Sequence, residues 1–276
     1  VNMSDAKIAR VFPSRTKATP TDDLAFTTGP PLWRVECDVV HVSCTFTWER
    51  NHAAQLAKMW EAAGYAVETG GPAFDAPGAD FVPGRYLRPG YVITSRGCRN
   101  RCWFCYTWAR EGDTRELPIT DGFNVLDSNL LQCKESHIRA VFAMLEKQDQ
   151  RPAFTGGLEA SLLEDWHIDL LLKSKPTRLY FAYDTPDDLE PLIIASRRMF
   201  AAGFTVPSHT VFCYVLIGYP GDTPAAAKKR LLQVLTLGVT PMAMYWRGEK
   251  YKPKPSVWSK LQKQWARPVA IYGGGK

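Results

Sequence analysis

The chain has 276 residues, 45% of them hydrophobic, which is enough for a sizeable core and within the length of one α/β barrel unit. No run of eighteen apolar residues is present, which excludes a membrane-spanning helix, and Val1–Asp5 lacks a basic region leading into an apolar stretch, which predicts a cytoplasmic rather than a secreted protein. Seven cysteines, an odd number in a chain too large to need disulfide staples, point to a reducing compartment and to metal or packing roles.

Residues 1–33 read as an extended arm, with Thr, Pro and Arg scattered and Pro30-Pro31 near its close. In residues 34–89, Val39, Val42 and Phe46 sit among Cys37 and Cys44 in a predicted strand. A helix near 50–63 comes next, which Gly64 can cap, and Tyr65–Val67 forms a second short strand. That is one β-α-β unit, and a long connector from Gly70 to Gly90 separates it from the rest of the chain. Residues 90–246 alternate regularly. Strands are predicted at Tyr91–Thr94, Phe123–Leu126, Ala153–Thr155, Arg178–Tyr183, Val211–Ile217 and Met242–Trp246, with helices over 135–148, 161–173, 187–202 and 224–237. Strands separated by such helices imply βαβ units and a parallel sheet. Six units are too few for a closed eight-stranded barrel. The expected fold is therefore α/β: a partial (β/α)6 TIM-like barrel with a small N-terminal β-α-β unit and its chemistry at the carboxyl ends of the strands.

The net charge of +6 is unevenly placed: residues 247–276 carry +7 and the other 246 residues carry −1. Trp246, Tyr251, Trp258, Trp265 and Tyr272 are interleaved with these lysines and arginines. Such an end fits a nucleic acid, whose phosphates it would face and whose bases it would stack. It equally fits a helix whose Trp258 and Trp265, seven apart on one face, cover the barrel while the lysines meet water.

Directly after the first barrel strand come Cys98, Cys102 and Cys105, three thiols within eight residues. They can meet at one metal centre if the loop curls around it, and thiolates are the preferred ligands of iron–sulfur clusters. A zinc site would need a fourth ligand, and no histidine lies close in sequence. Cys98-x-x-x-Cys102-x-x-Cys105, with Phe104 immediately before the last cysteine, resembles the cluster motif of the radical SAM superfamily. The resemblance covers roughly residues 90–246. It implies one [4Fe–4S] cluster held by the three cysteines, with its open iron chelated by S-adenosyl-L-methionine. It also implies an electron donor such as flavodoxin or ferredoxin, and a 5′-deoxyadenosyl radical that abstracts hydrogen from a substrate.

The same resemblance suggests cofactor contacts. Asp127 and Asn129 are similar to the acidic segment that some members place near the methionine amino group. Gly156-Gly157-Leu158-Glu159 has the composition of the commoner Gly-Gly-Glu motif but comes after the third strand, and two glycines permit close backbone approach. Asp184 is placed for ribose hydroxyls, with Asp187 and Asp188 as first-turn acids of the next helix. Ile217-Gly218-Tyr219-Pro220-Gly221 is similar to a turn that flanks the adenine in relatives with cobalamin-type N-terminal domains. Residues 34–78 resemble the last part of such a domain. No lower-ligand motif is present, and one β-α-β unit cannot sandwich a corrin ring. The whole pattern is similar to small bacterial and phage radical SAM proteins with an arm like Val11–Thr16. Cys133 and Cys213 read as buried packing residues. Three readings remain open: this chemistry on a nucleic acid or nucleotide, this chemistry on a small molecule or peptide, and a non-catalytic iron–sulfur or zinc-binding protein.

Overall fold

The computed structural model describes residues 6–74, 80–248, 254–266 and 271–272. Its first part runs β1 (Ile8–Val11), β2 (Ala25–Phe26), β3 (Val39–Ser43), α1 (Arg50–Ala62) and β4 (Val67–Gly70). These strands form a parallel sheet in the order β2-β1-β3-β4. The helix buries Ala53, Leu56, Ala57 and Trp60, the i, i+3, i+4, i+7 stripe of an amphipathic helix, against Val40 and Val42 of β3. The Trp60 indole N–H donates to the Thr28 carbonyl at 3.1 Å, which ties the segment after β2 to that core.

The expected arm is thus partly sheet. Its residues supply β1 and β2, with Ala9 and Val11 fully buried. The apolar run there is short and broken by Arg10, whose guanidinium is held by Asp22 and by the carbonyls of Gly84 and Arg85. A buried charge made tolerable by distant partners leaves no periodicity in the sequence.

The second part runs β5 (Tyr91–Val92), β6 (Ser95–Arg96), α2 (Thr107–Glu111), β7 (Arg115–Glu116), β8 (Asn124–Val125), α3 (Glu135–Leu145), β9 (Ala153–Phe154), α4 (Asp165–Ser174), β10 (Arg178–Tyr183), α5 (Leu189–Ala202), β11 (Val211–Ile217), α6 (Pro224–Thr236), β12 (Thr240–Tyr245) and α7 (Ser256–Gln264). Six of these strands form a parallel sheet ordered β5-β8-β9-β10-β11-β12, which is also their order along the chain. The fold is α/β with two parallel sheets. No pairing joins β5 to β12 among the described residues, so the sheet is not closed by hydrogen bonds.

Helices α3, α4, α5 and α6 each bury an apolar stripe against this sheet. Ile138, Val141, Phe142 and Leu145 of α3, and Leu192, Ala195 and Met199 of α5, share a core with Phe181 of β10 and with Cys213, Val215 and Ile217 of β11. Pleating turns the intervening residues to the opposite face, where Tyr180 stacks on Phe212 at 4.9 Å and on Tyr214 at 4.4 Å. The β12 edge is covered by the C-terminal segment. The Ala243 N–H donates to the Trp265 carbonyl at 3.1 Å, and the Gln262 side chain donates to the Ala243 carbonyl at 3.2 Å. Trp258 is buried and Trp265 packs on the same core, so these tryptophans serve the packing alternative. Lys250, Tyr251, Lys252, Arg267 and Lys276 lie outside the described residues. No helix among the described residues is long and apolar enough to cross a membrane.

Candidate metal centre

The cysteine segment is a loop closed at its base by the short antiparallel ladder of β6 and β7, in which Ser95 pairs with Glu116 and Arg96 with Arg115. Gly97 makes the entry turn at φ +84°, where a Cβ would run into the backbone of Gly112 and Asp113. Across that close approach the Cys98 N–H donates to the Gly112 carbonyl at 3.0 Å. Inside the loop the Cys105 N–H donates to the Cys102 carbonyl at 3.1 Å, and the Trp108 indole N–H reaches the same carbonyl at 3.1 Å. Glu111 is buried at the base beside three arginines, 3.0 Å from Arg110 and 3.8 Å from Arg96 and Arg115.

Asp127, at the end of β8, locks the start of this loop. Its carboxylate accepts from the Thr94 N–H at 2.6 Å, the Thr94 hydroxyl at 2.6 Å and the Ser95 hydroxyl at 2.7 Å. Burial pushes its carboxyl upward while these bonds pull it down, with burial prevailing. Asp127 is 1% exposed. Its oxygens face the protein, so it positions the cysteine loop and offers little to a ligand. Gly156 has a similar place: a Cβ there would meet the backbone of Leu126 and Asp127, so its closeness serves strand packing. Gly157 has open space around it.

Glu159 gathers the loop and the strand ends. One carboxylate oxygen accepts from the Asn100 amide at 2.9 Å, the Asn129 amide at 2.6 Å and the Gln132 amide at 3.0 Å; the other accepts from the Ser161 hydroxyl at 2.8 Å. Burial opposes its ionisation, but these four bonds outweigh it and hold the carboxyl below its ordinary value. Gln132 also accepts from the Arg99 N–H at 2.8 Å and the Thr114 hydroxyl at 2.6 Å. Asn100, Gln132 and Thr94 did not stand out in the sequence, because an amide or hydroxyl carries no spacing signal.

The three thiols lie within electrostatic reach of one another. Burial raises the Cys98 thiol, and Cys105 and Glu159 add to the rise, against hydrogen bonds from the Asn100 backbone and the Asn129 side chain. Burial likewise drives Cys102 to about 11, followed by the charges of Cys105, Cys98, Asp184 and Asp188. Asp184, from the end of β10, is thus within electrostatic reach of Cys102. Its carboxyl is raised to about 7, first by burial and then by Asp188. Asp188 accepts from the N–H groups of Asp184 and Thr185 at 2.9 and 2.6 Å, as a helix-start acid should. Ile217 is fully buried in the core, so only its backbone can face a ligand. The Gly218 N–H is taken by Asp222 at 2.8 Å. Phe104 packs edge-on against Trp103, which is 58% exposed and also meets Tyr219 and Trp246. Cys213 is buried, and Cys37, Cys44 and Cys133 are raised by burial.

The Asp184 shift has a stability consequence. Between 3.8 and about 7 the folded chain binds a proton that the unfolded chain has lost, so this group's contribution falls as pH rises through that window. Asp184→Asn is expected to be more stable than the parent near pH 8 by roughly 1–2 kcal/mol, discounted for partial exposure. The gap should close below pH 4. Urea unfolding at the two pH values measures it, and equal stabilities near pH 8 contradict it.

Among the described residues no three His, Cys, Asp or Glu side chains close around the position of a single ion. The donor set itself fits an iron–sulfur group: three half-buried thiols share one loop, and ionising Cys98 and Cys102 is costly unless a cationic centre takes up the charge. The chain matches no protein-family model, and no curated protein shows significant similarity to it.

Proposed function

We propose that this chain is a radical S-adenosylmethionine enzyme, built on a partial (β/α)6 barrel, in which Cys98, Cys102 and Cys105 hold one [4Fe–4S] cluster. The observation that carries the reading is the cysteine loop itself. It leaves the first strand of a six-stranded parallel sheet and holds three thiols within electrostatic reach of one another, with Asn129 and Glu159 beside Cys98 and Asp184 within electrostatic reach of Cys102, each following the carboxyl end of a later strand. Strands in consecutive order with helices on one face support the barrel reading. A bound and reduced cluster supplies the electron that breaks the sulfur–C5′ bond of S-adenosylmethionine.

The residues of the chain bind and orient. Asn129 has a buried side-chain oxygen without a partner among the described residues, an acceptor suited to the cofactor's amino group. Asp184, within electrostatic reach of Cys102, offers a carboxyl for ribose hydroxyls. Glu159 fixes the Asn100 and Asn129 amides beside Cys98. Arg101, exposed within the loop over Trp108 and 4.0 Å from Asp113, supplies the loop with a positive charge for an acidic electron donor such as flavodoxin or ferredoxin.

Anaerobic reconstitution tests the ligand assignment. The parent is expected to bind about four irons per chain. Cys98→Ala, Cys102→Ala and Cys105→Ala should each lose the cluster's absorbance, while Cys37→Ala and Cys213→Ala keep it. Retention in any of the first three contradicts the assignment.

For the substrate, the nucleic-acid reading is favoured by one observation: Trp103 projects from the cysteine loop beside Trp246 and Tyr219, while Arg247 lies 4.1 Å over the Trp48 ring. Stacking on such rings is worth about 1–3 kcal/mol per base and tolerates any sequence. A single-stranded oligonucleotide is expected to quench tryptophan fluorescence at low salt, with the effect reduced in Trp103→Ala and by added salt. Absence of quenching at low salt counts against a nucleic acid and favours a small molecule or peptide.

A further inference from the structure

The segment that follows β12 gathers hydrogen-bond donors that have no acceptor among the described residues. Trp246 continues the strand, its backbone N–H donating to the Ile217 carbonyl at 2.9 Å. Its indole Nε1 is buried and unpartnered among the described residues. A buried donor left in that state is costly, so the position suits an acceptor that arrives with a ligand. The Trp246 ring lies 6.1 Å, centre to centre, from that of Trp103, so the donor borders the cysteine loop.

Cations accompany it. The Arg247 guanidinium lies 4.1 Å over the Trp48 ring, and its N–H groups have no acceptor among the described residues. Stacking fixes the plane of the guanidinium and leaves its edge open, a fork that matches the oxygens of a phosphate. Glu49, next to Trp48 in sequence, makes no ion pair with Arg247 among the described residues. The Lys254 ammonium lies 5.4 Å over the Tyr245 ring and donates to Gln262, with further donors to spare. Burial lowers the Lys254 ammonium, and the charges of Arg247 and of the exposed Lys263 lower it further. Both of those charges are positive, so the group repels itself until an anion is seated among its members.

The ring faces beside this group decide between its anionic ligands. Trp103 is exposed and meets Tyr219 at 5.7 Å as well as Trp246. An acidic protein would answer the charges and make little use of the rings. A single-stranded nucleic acid uses both, its phosphates meeting the cations while its unpaired bases stack on aromatic faces.

We propose that Trp246, Arg247, Lys254 and Lys263 form a phosphate track beside the cysteine loop that grips the backbone of a single-stranded nucleic acid. This rests on the nucleic-acid reading of the substrate and assigns the residues that hold its phosphates. Fluorescence anisotropy of a short labelled oligonucleotide on the reconstituted full chain, between about 50 and 200 mM KCl, tests it. The logarithm of the affinity should fall against the logarithm of salt with a slope of about −2 or steeper, roughly 0.7 for each phosphate neutralised. Arg247→Gln/Lys254→Gln should make the slope shallower by about 1.4, and the exposed Lys263→Gln by about 0.7. Trp246→Phe removes the indole N–H and should weaken binding by about fivefold with the slope unchanged. Circular dichroism checks that each variant is folded. Oligonucleotide binding with the parent's slope in both folded charge variants overturns the track and leaves the nucleic-acid reading standing. Binding of polyglutamate without binding of the oligonucleotide assigns the patch to an acidic protein and overturns it as well. Formation of 5′-deoxyadenosine is read separately on the same parent. A parent that cleaves S-adenosylmethionine but binds no oligonucleotide sinks the track alone, and one that binds as expected but cleaves none sinks only the radical reading.

Discussion

Asp127→Ala is expected to destabilise the chain by about 3 kcal/mol, because it removes a buried carboxylate and strands three donors at once. Hydrogen bonds to charged groups are worth roughly 1.5–3 kcal/mol each, and the partly offsetting cost of burying the charge keeps the net loss near the value for one or two of them. For a chain of this length that corresponds to a fall in melting temperature of roughly 6–10 °C. The loss should also reach the cysteines. Thr94 and Ser95, the two partners of Asp127, are the residues from which the loop departs. Asp127→Asn keeps an acceptor and should lose less. Thermal unfolding of both variants checks the order, and an alanine variant as stable as the parent contradicts it.

Glu159→Ala should act more on the cofactor than on the fold. It leaves the amides of Asn100, Asn129 and Gln132 without their shared acceptor, and Asn100 and Asn129 lie beside Cys98. A stability loss of about 2 kcal/mol is expected, with a drop of at least about tenfold in affinity for S-adenosylmethionine by the reconstituted protein. Glu159→Gln should fall between the two, since its amide replaces one acceptor oxygen with a donor. Affinity unchanged in the alanine variant would remove Glu159 from the site.

The strongest elements of the fold were legible because their local pattern and their tertiary role agree. Arg178–Tyr183 and Val211–Ile217 occupy the positions their apolar runs predict, and α3, α5 and α6 differ only at their ends. β1 escapes a sequence reading because Arg10 interrupts it, and only contacts with Asp22 and with a loop more than seventy residues away make that arginine compatible with burial. The three cysteines were legible as a spacing. Which acids stand near them was not. Asp127 and Glu159 are both acids at strand ends, yet one turns inward to Thr94 and Ser95 while the other collects amides beside Cys98. That difference depends on the pleat of β8 and on where the loops return. The C-terminal aromatics were ambiguous for the same reason: Trp258 and Trp265 at helical spacing fit either use, and packing on the β12 edge engages both.

The central claim is that the cysteine loop supports reductive cleavage of S-adenosylmethionine. Its most direct measurement is anaerobic incubation of the reconstituted chain with S-adenosylmethionine and dithionite, then chromatography for 5′-deoxyadenosine and methionine. The parent is expected to form both, and Cys98→Ala, Cys102→Ala and Cys105→Ala neither. A parent that carries an intact, reducible cluster yet yields no 5′-deoxyadenosine, or a Cys98→Ala protein that yields as much as the parent, would contradict the claim.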